Sequence, residues 1–197
     1  MAFTAIFGGT FNPFHIGHLE MLKVLDADPS IEKIFLMPDK IPPHKVCDFI
    51  AEDEVRIEMC RLICEDFAKA ELCLIEFERE GKSYSYDTVL ELKKRYRQKD
   101  FVFVCGGDML VTFHQWYKYE ELMSQLPFIA FRRSDTDNEL FDSRVKKLAE
   151  KGMKIIVKQE IIPAVSSTEI RGDFKAAKKL LPEKIYNFLV ERGVYGE

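Results

Sequence analysis

Two histidines, His15 and His18, stand three positions apart in the stretch FGGTFNPFHIGH (residues 7–18), just after the adjacent glycines Gly8 and Gly9. A glycine pair lets backbone amides approach a ligand closely, and the start of a following helix adds unpaired N–H groups and the positive end of a dipole. The segment therefore has the makings of an anion cradle. It is not a Walker loop, because no Gly-Lys-Ser/Thr follows, nor a dinucleotide fingerprint, because the later glycine is missing at the required spacing. With Gly17 between them, the two rings can reach one small volume, one from the turn and one from the first helical turn. Imidazole donates from either nitrogen and adds charge when protonated. Phosphoryl and nucleotidyl transfer call for such donors, since negative charge gathers on oxygens of the transferring phosphorus and the leaving group. Two readings compete: one ring capping while the other packs, and zinc, which lacks a third protein ligand nearby.

A phosphate site also needs permanent cations. Lys45 in PPHK and Arg171 in SSTEIRG are the candidates, with Arg132 and Arg133 as further ones of unassigned part. Ser166, Ser167 and Thr168 could open a helix whose amides and hydroxyls hold a phosphate, with Arg171 one turn on; a plain cap followed by a solvated arginine is the alternative. A second glycine pair stands in VCGGDML (residues 104–110). Cys60 and Cys64, at i and i+4, could pair on a metal or be small buried apolar residues. The five cysteines lack zinc-ribbon spacing.

The elements that must position these residues follow from the apolar pattern. Short apolar runs predict strands over 3–7, 33–37, 70–77, 101–105, 127–131 and 153–157, several continuous, as in strands covered on both faces. Amphipathic stretches predict helices over 17–25, 52–67, 86–97, 119–126, 143–151, 173–180 and 183–192, the last following Pro182. Alternation of the two predicts an α/β protein with an open, mainly parallel sheet and helices on both faces. In such sheets ligands bind beyond the carboxyl ends of strands, where the strand order reverses, and both glycine pairs fall at strand ends. The segment 37–53 reads as a long loop after the second strand, its proline-rich part with Lys45 expected to move on binding, and 132–140 as a surface loop.

A length of 197 residues fits one domain over 1–197, with a helical C-terminal part from about 166. The net charge of −4 gives no general attraction to nucleic acid or to anionic membranes. No apolar run is long enough to span a bilayer and the N-terminal stretch has no export signal, so a cytoplasmic protein is expected.

Taken in order, GGTFNPFHIGH, PPHK, GGDML with the later WYKYEEL, SSTEIR and LLPEKIYNFLVERGVYG resemble the bacterial nicotinate-mononucleotide adenylyltransferases over nearly the whole chain. The His-Ile-Gly-His element alone marks only the broader nucleotidyltransferase superfamily. The resemblance implies a Rossmann-like fold and the reaction of ATP with nicotinate mononucleotide to give deamido-NAD and pyrophosphate. The mononucleotide's 5′-phosphate would attack the α-phosphorus in line, without a covalent intermediate. It implies that Gly8, Gly9, Thr10 and Phe11 cradle nucleotide phosphate through the backbone, and that His15 and His18 serve the α-phosphate. Lys45 and Arg171, with Ser167 and Thr168, would neutralise the pyrophosphate, and magnesium would arrive on ATP. Gly106 and Asp108 would sit by the adenosine, Asp108 having a helix N-cap as its plainer role. Trp116 would stack on the pyridine ring or simply pack in the core, and main-chain amides at Ser85 and Tyr117 would receive the nicotinate carboxylate. Position 12 departs from the pattern: Asn12 stands where aspartate is usual, which removes a charge near the phosphates and bears on the choice between nicotinate and nicotinamide. Other transferases of the superfamily, for nicotinamide mononucleotide, phosphopantetheine or cytidylyl transfer, and a non-catalytic nucleotide sensor are the alternatives; a homo-oligomer is left open.

Overall fold

The computed structural model describes residues 2–41, 49–97 and 99–195. Its elements run β1 (Phe3–Gly9), α1 (Ile16–Ala27), β2 (Ile31–Pro38), α2 (Asp53–Cys64), β3 (Ala70–Leu72), α3 (Ser85–Arg95), β4 (Asp100–Gly106), α4 (Gly107–Thr112), α5 (Tyr119–Gln125), β5 (Phe128–Arg133), α6 (Asn138–Glu150), β6 (Ile155–Ile162), α7 (Ser167–Gly172) and α8 (Glu183–Arg192). Among the described residues the six strands form one sheet in the order β3-β2-β1-β4-β5-β6, every neighbouring pair parallel. The chain winds outward from β1 to β3 and then returns to β4 on the other side of β1. The crevice that this reversal opens, beyond the carboxyl ends of β1 and β4, is where an open α/β sheet binds ligands.

The continuous apolar runs are buried on both faces, as read from the sequence. In β4, Val102 and Val104 join Ala5, Phe7, Leu22 and Leu25 on the face covered by α1, α2 and α8. Phe101, Phe103 and Cys105 join Ile6, Val89, Leu92 and Phe128 on the face covered by α3, α5 and α6. No described helix is long and apolar enough to cross a membrane.

The structure corrects several boundaries. The strand expected over 70–77 ends at Leu72, and a 3-10 turn takes Ile75–Glu78. Its apolar residues are buried by packing against α3 rather than by a strand ladder: Val89 and Ile75 share one cluster, and Thr88 donates its hydroxyl to Glu76 at 2.7 Å. α6 begins at Asn138 instead of 143, inside the segment read as a loop, because the Asp137 side chain accepts the Leu140 N–H and caps the helix. α4, absent from the periodic helices, begins directly after Gly106, one residue before Asp108, the residue weighed as its cap. The helix expected over 173–180 is instead a 3-10 turn over Ala176–Leu180, after α7, which opens at Ser167 as its residues suggest and closes at Gly172. Cys60 is buried in the core beside Met59 and Ile63, and burial pushes its thiol up and the Cys64 thiol to about 11.

Candidate active site

At the end of β1 the chain turns sharply. Phe11 adopts left-handed backbone, φ 48°, and its ring lies across Gly9, where a Cβ would come within 2.9 Å of it. Gly9 is thus required by the turn's own packing. Gly8 is under no such demand, since a Cβ there would meet Met37 at an ordinary 3.6 Å. The Asn12–Pro13 peptide is cis.

The histidine pair follows. His15 is the N-cap of α1, and its Nδ1 accepts the His18 N–H at 3.4 Å. The His18 Nδ1 in turn accepts the His15 N–H at 3.3 Å. This is a capping box built from two imidazoles, with the rings stacked at 3.7 Å between centroids and 17° between planes. A ring nitrogen that accepts cannot carry the proton, so each neutral ring holds its hydrogen on Nε2. His18 is steadied further by the rings of Phe11 and Phe14, 5.0 and 5.3 Å away. Gly17 is needed because a Cβ there would lie 3.0 Å from the His15 ring and 3.3 Å from the Pro163 carbonyl. Capping and convergence, posed as alternatives in the sequence, coexist: both rings cap α1 and both line the same cavity.

That cavity, about 570 Å³, lies at the β1–β4 crevice and is of the size that holds a nucleotide-sized ligand. Gly8, Gly9, Thr10, Phe11, Gly106 and Asp108 line it, and so do Ser167, Thr168 and Arg171 of α7. Ser85, Trp116 and Tyr117 line it as well. α7 is fastened to the glycine turn from two sides: Ser167 donates its hydroxyl to the Pro13 carbonyl at 3.0 Å, and Arg171 Nη1 donates to the Asn12 carbonyl at 2.7 Å. Arg171 Nη2 also donates to the Thr168 hydroxyl at 3.2 Å. The cap of α7 is Ser166, which accepts the Glu169 N–H. Lys45, and with it the expectation of a moving loop, lies outside the described residues.

Asp108 stands in the first turn of α4, whose N-cap is Gly106, so the carboxylate is not the cap. A Cβ on Gly106 would sit 2.7 Å from Asp108 Oδ1, and the missing side chain leaves room for that carboxylate. Arg133 lies 3.6 Å from Asp108 and lines the cavity. Arg132 instead turns to α6, bonded to Asn138 and Asp142 and stacked on Phe141. Trp116 packs against Phe103 and Phe113, with ring centroids 5.9 and 5.3 Å apart, and also borders the cavity. Tyr117 is 42% exposed and packs on Tyr84 at 4.5 Å. Ser85 is the first residue of α3, where backbone N–H groups have no partner within the helix.

Two residues that matter here were not singled out in the sequence. Asp39, at the end of β2, lines the cavity and accepts the Thr10 hydroxyl at 3.0 Å. Arg56 of α2 is wholly buried and donates to the carbonyls of Thr10 (3.1 Å), Asp39 (2.6 Å) and Ala51 (3.2 Å). A signal for it was present: Arg56 occupies the apolar stripe of α2 that continues through Met59, Cys60 and Ile63.

A doubly wound parallel sheet with a glycine turn, two imidazoles and an arginine at its switch point defines a nucleotidyltransferase. The cytidylyltransferase-like family matches residues 6–173. The chain belongs to that family, among the nicotinate-nucleotide adenylyltransferases. It is 36% identical over 197 residues to the nicotinate-nucleotide adenylyltransferase of Bacillus subtilis (strain 168), covering 96% of each chain. It is 36% identical over 193 residues to the probable nicotinate-nucleotide adenylyltransferase of Listeria innocua, covering 98% of this chain and 96% of the relative. In structure it is similar to Plasmodium falciparum nicotinic acid mononucleotide adenylyltransferase complexed with NaAD, with a TM-score of 0.81 at 22% identity and coverage of 99% and 98% of the two chains.

Proposed function

We propose that the cavity joins ATP to nicotinate mononucleotide through the residues that line it. A 5′-phosphate oxygen of the mononucleotide attacks the α-phosphorus of ATP; the new P–O bond forms as the α–β bond breaks, and pyrophosphate leaves with the electron pair. The observation that carries this reading is the stacked histidine pair, with both Nδ1 atoms engaged in capping α1 and both rings lining a cavity shared with Arg171. His15 and His18 donate to oxygens around the α-phosphorus, where charge builds in the transition state. The amides of Gly8, Gly9, Thr10 and Phe11 orient the phosphates. Arg171, kept in place by Asn12 and Thr168, takes the departing pyrophosphate with Lys45, Ser167 and Thr168. Asp108, given room by Gly106, accepts from ribose hydroxyls of the adenosine.

Trp116 offers an indole surface for the pyridine ring. The amides of Ser85 and Tyr117 receive the carboxylate; Ser85 is well suited, because a helix N-terminus favours an anion. A neutral carboxamide gains less from such amides and brings donors of its own, which supports nicotinate over nicotinamide. The Asn12 side chain is 2% exposed and bonded to protein groups, so its difference from aspartate weighs little on that choice.

Among the described residues no group of three or more His, Cys, Asp or Glu side chains is arranged to hold a metal. Magnesium would arrive on ATP's own phosphates, where it would neutralise their charge. The test is pyrophosphate release from ATP with nicotinate mononucleotide, nicotinamide mononucleotide and phosphopantetheine offered separately. Turnover is expected chiefly with the first; strong turnover with only the last would overturn the substrate assignment.

A further inference from the structure

We infer that Asn12 is a positioning residue: its carboxamide, acting with the Tyr195 hydroxyl and the 49–51 backbone, fixes the turn whose own carbonyl holds Arg171. The inference rests on the adenylyltransferase reading of the site. Asn12 is 2% exposed and its amide is used from both ends. Nδ2 donates to the Phe49 carbonyl at 2.9 Å. Oδ1 accepts twice, from the Ala51 N–H at 3.1 Å and from the Tyr195 hydroxyl at 2.8 Å. The residue's own carbonyl accepts Arg171 at 2.7 Å. One residue therefore ties the glycine turn to the segment entering α2 and the chain beyond α8 through its side chain, and to the helix carrying Arg171 through its main-chain carbonyl.

The chemistry requires an amide. An aspartate could accept from Ala51 and Tyr195, but it would set a carboxylate oxygen against the Phe49 carbonyl where an N–H now donates. Ring contacts reinforce the arrangement, with Tyr195 packed edge-on to Phe49 at 5.9 Å and against Phe174 at 5.5 Å. Arg56 completes it from beneath by holding the carbonyls of Asp39 and Ala51, on the two sides of residues 42–48.

The experiment compares wild type, Asn12→Asp and Tyr195→Phe by steady-state kinetics for both substrates and by peptide-level hydrogen exchange. Asn12→Asp is expected to lower kcat/KM for ATP about tenfold or more, the order expected from leaving a buried carbonyl facing a charge. Tyr195→Phe should lower it by a smaller factor. In both variants exchange should rise at 49–51 and 190–195 and stay unchanged in β4 and β5. Kinetics within twofold of wild type with unchanged exchange at 49–51 would overturn the inference, and so would a uniform rise over the whole chain, the mark of a merely structural role. If Asn12→Asp fails to fold, Tyr195→Phe decides by the same criteria. Wild-type protein that released no pyrophosphate would sink the functional reading, while the exchange comparison would still decide the anchoring.

Discussion

His15 does two things through two different atoms, and substitution can separate them. His15→Ala removes both the cap and the Nε2 donor, whereas His15→Asn keeps a good N-cap acceptor and removes only the donor. The alanine variant is expected to lose about 1 kcal/mol in denaturant unfolding. The asparagine variant should recover most of that stability while its turnover stays depressed. His18→Ala should keep ATP affinity near wild type by calorimetry and lower turnover about 100-fold or more, the loss typical of a transition-state donor; unchanged turnover would remove His18 from the mechanism. The convergence of the two rings was legible in their spacing. Their mutual capping was not, because the familiar box pairs Ser or Thr with Glu or Gln and nothing in a His-x-x-His run announces it. Arg56 was missed because arginine on a helix is ordinarily solvated; only its place in an apolar stripe marked it.

At the level of elements, α1 must be held so that its first turn faces the crevice. Its far end is fixed by Asp28, which pairs with Lys158 of β6 and accepts from Ser30 at 2.7 Å. Burial alone would raise the Asp28 carboxyl, but the bonds from Lys158 and Ser30 outweigh it and bring it from 3.8 to about 2. A carboxyl lowered in the folded state contributes its full stability above its unfolded value, and the contribution fades as pH falls from about 4 toward 2. It amounts to roughly 2 kcal/mol. Asp28→Asn should therefore be less stable than wild type at neutral pH, with the difference closing near pH 2 in acid unfolding curves. The sheet strands were legible because double burial leaves continuous apolar runs. β3 was overextended, and the start of α6 overlooked, for a shared reason: a cap or a 3-10 turn is decided by a few side-chain bonds, such as Asp137 to Leu140 and Thr88 to Glu76, that periodicity does not register.

Over the whole molecule, the site draws on residues from Gly8 to Arg171, and its closest fastening, Arg171 to Asn12, spans 159 positions. The order of the motifs was legible in the chain, but the meeting of α7 with the glycine turn is a product of the tertiary fold. α8 shares the core with α7: Ile185 and Leu189 are fully buried in the cluster that also holds Ile170, Leu22 and Met59. Leu189→Ala should cost about 2–5 kcal/mol by denaturant titration, with a correspondingly lower melting temperature and, where the protein remains folded, little change in KM. The interlocked imidazoles carry a last consequence. Their orientation is settled when the chain folds, so no ring has to rotate into place as phosphorus changes partners, and the rate should show little entropic penalty when followed across temperature.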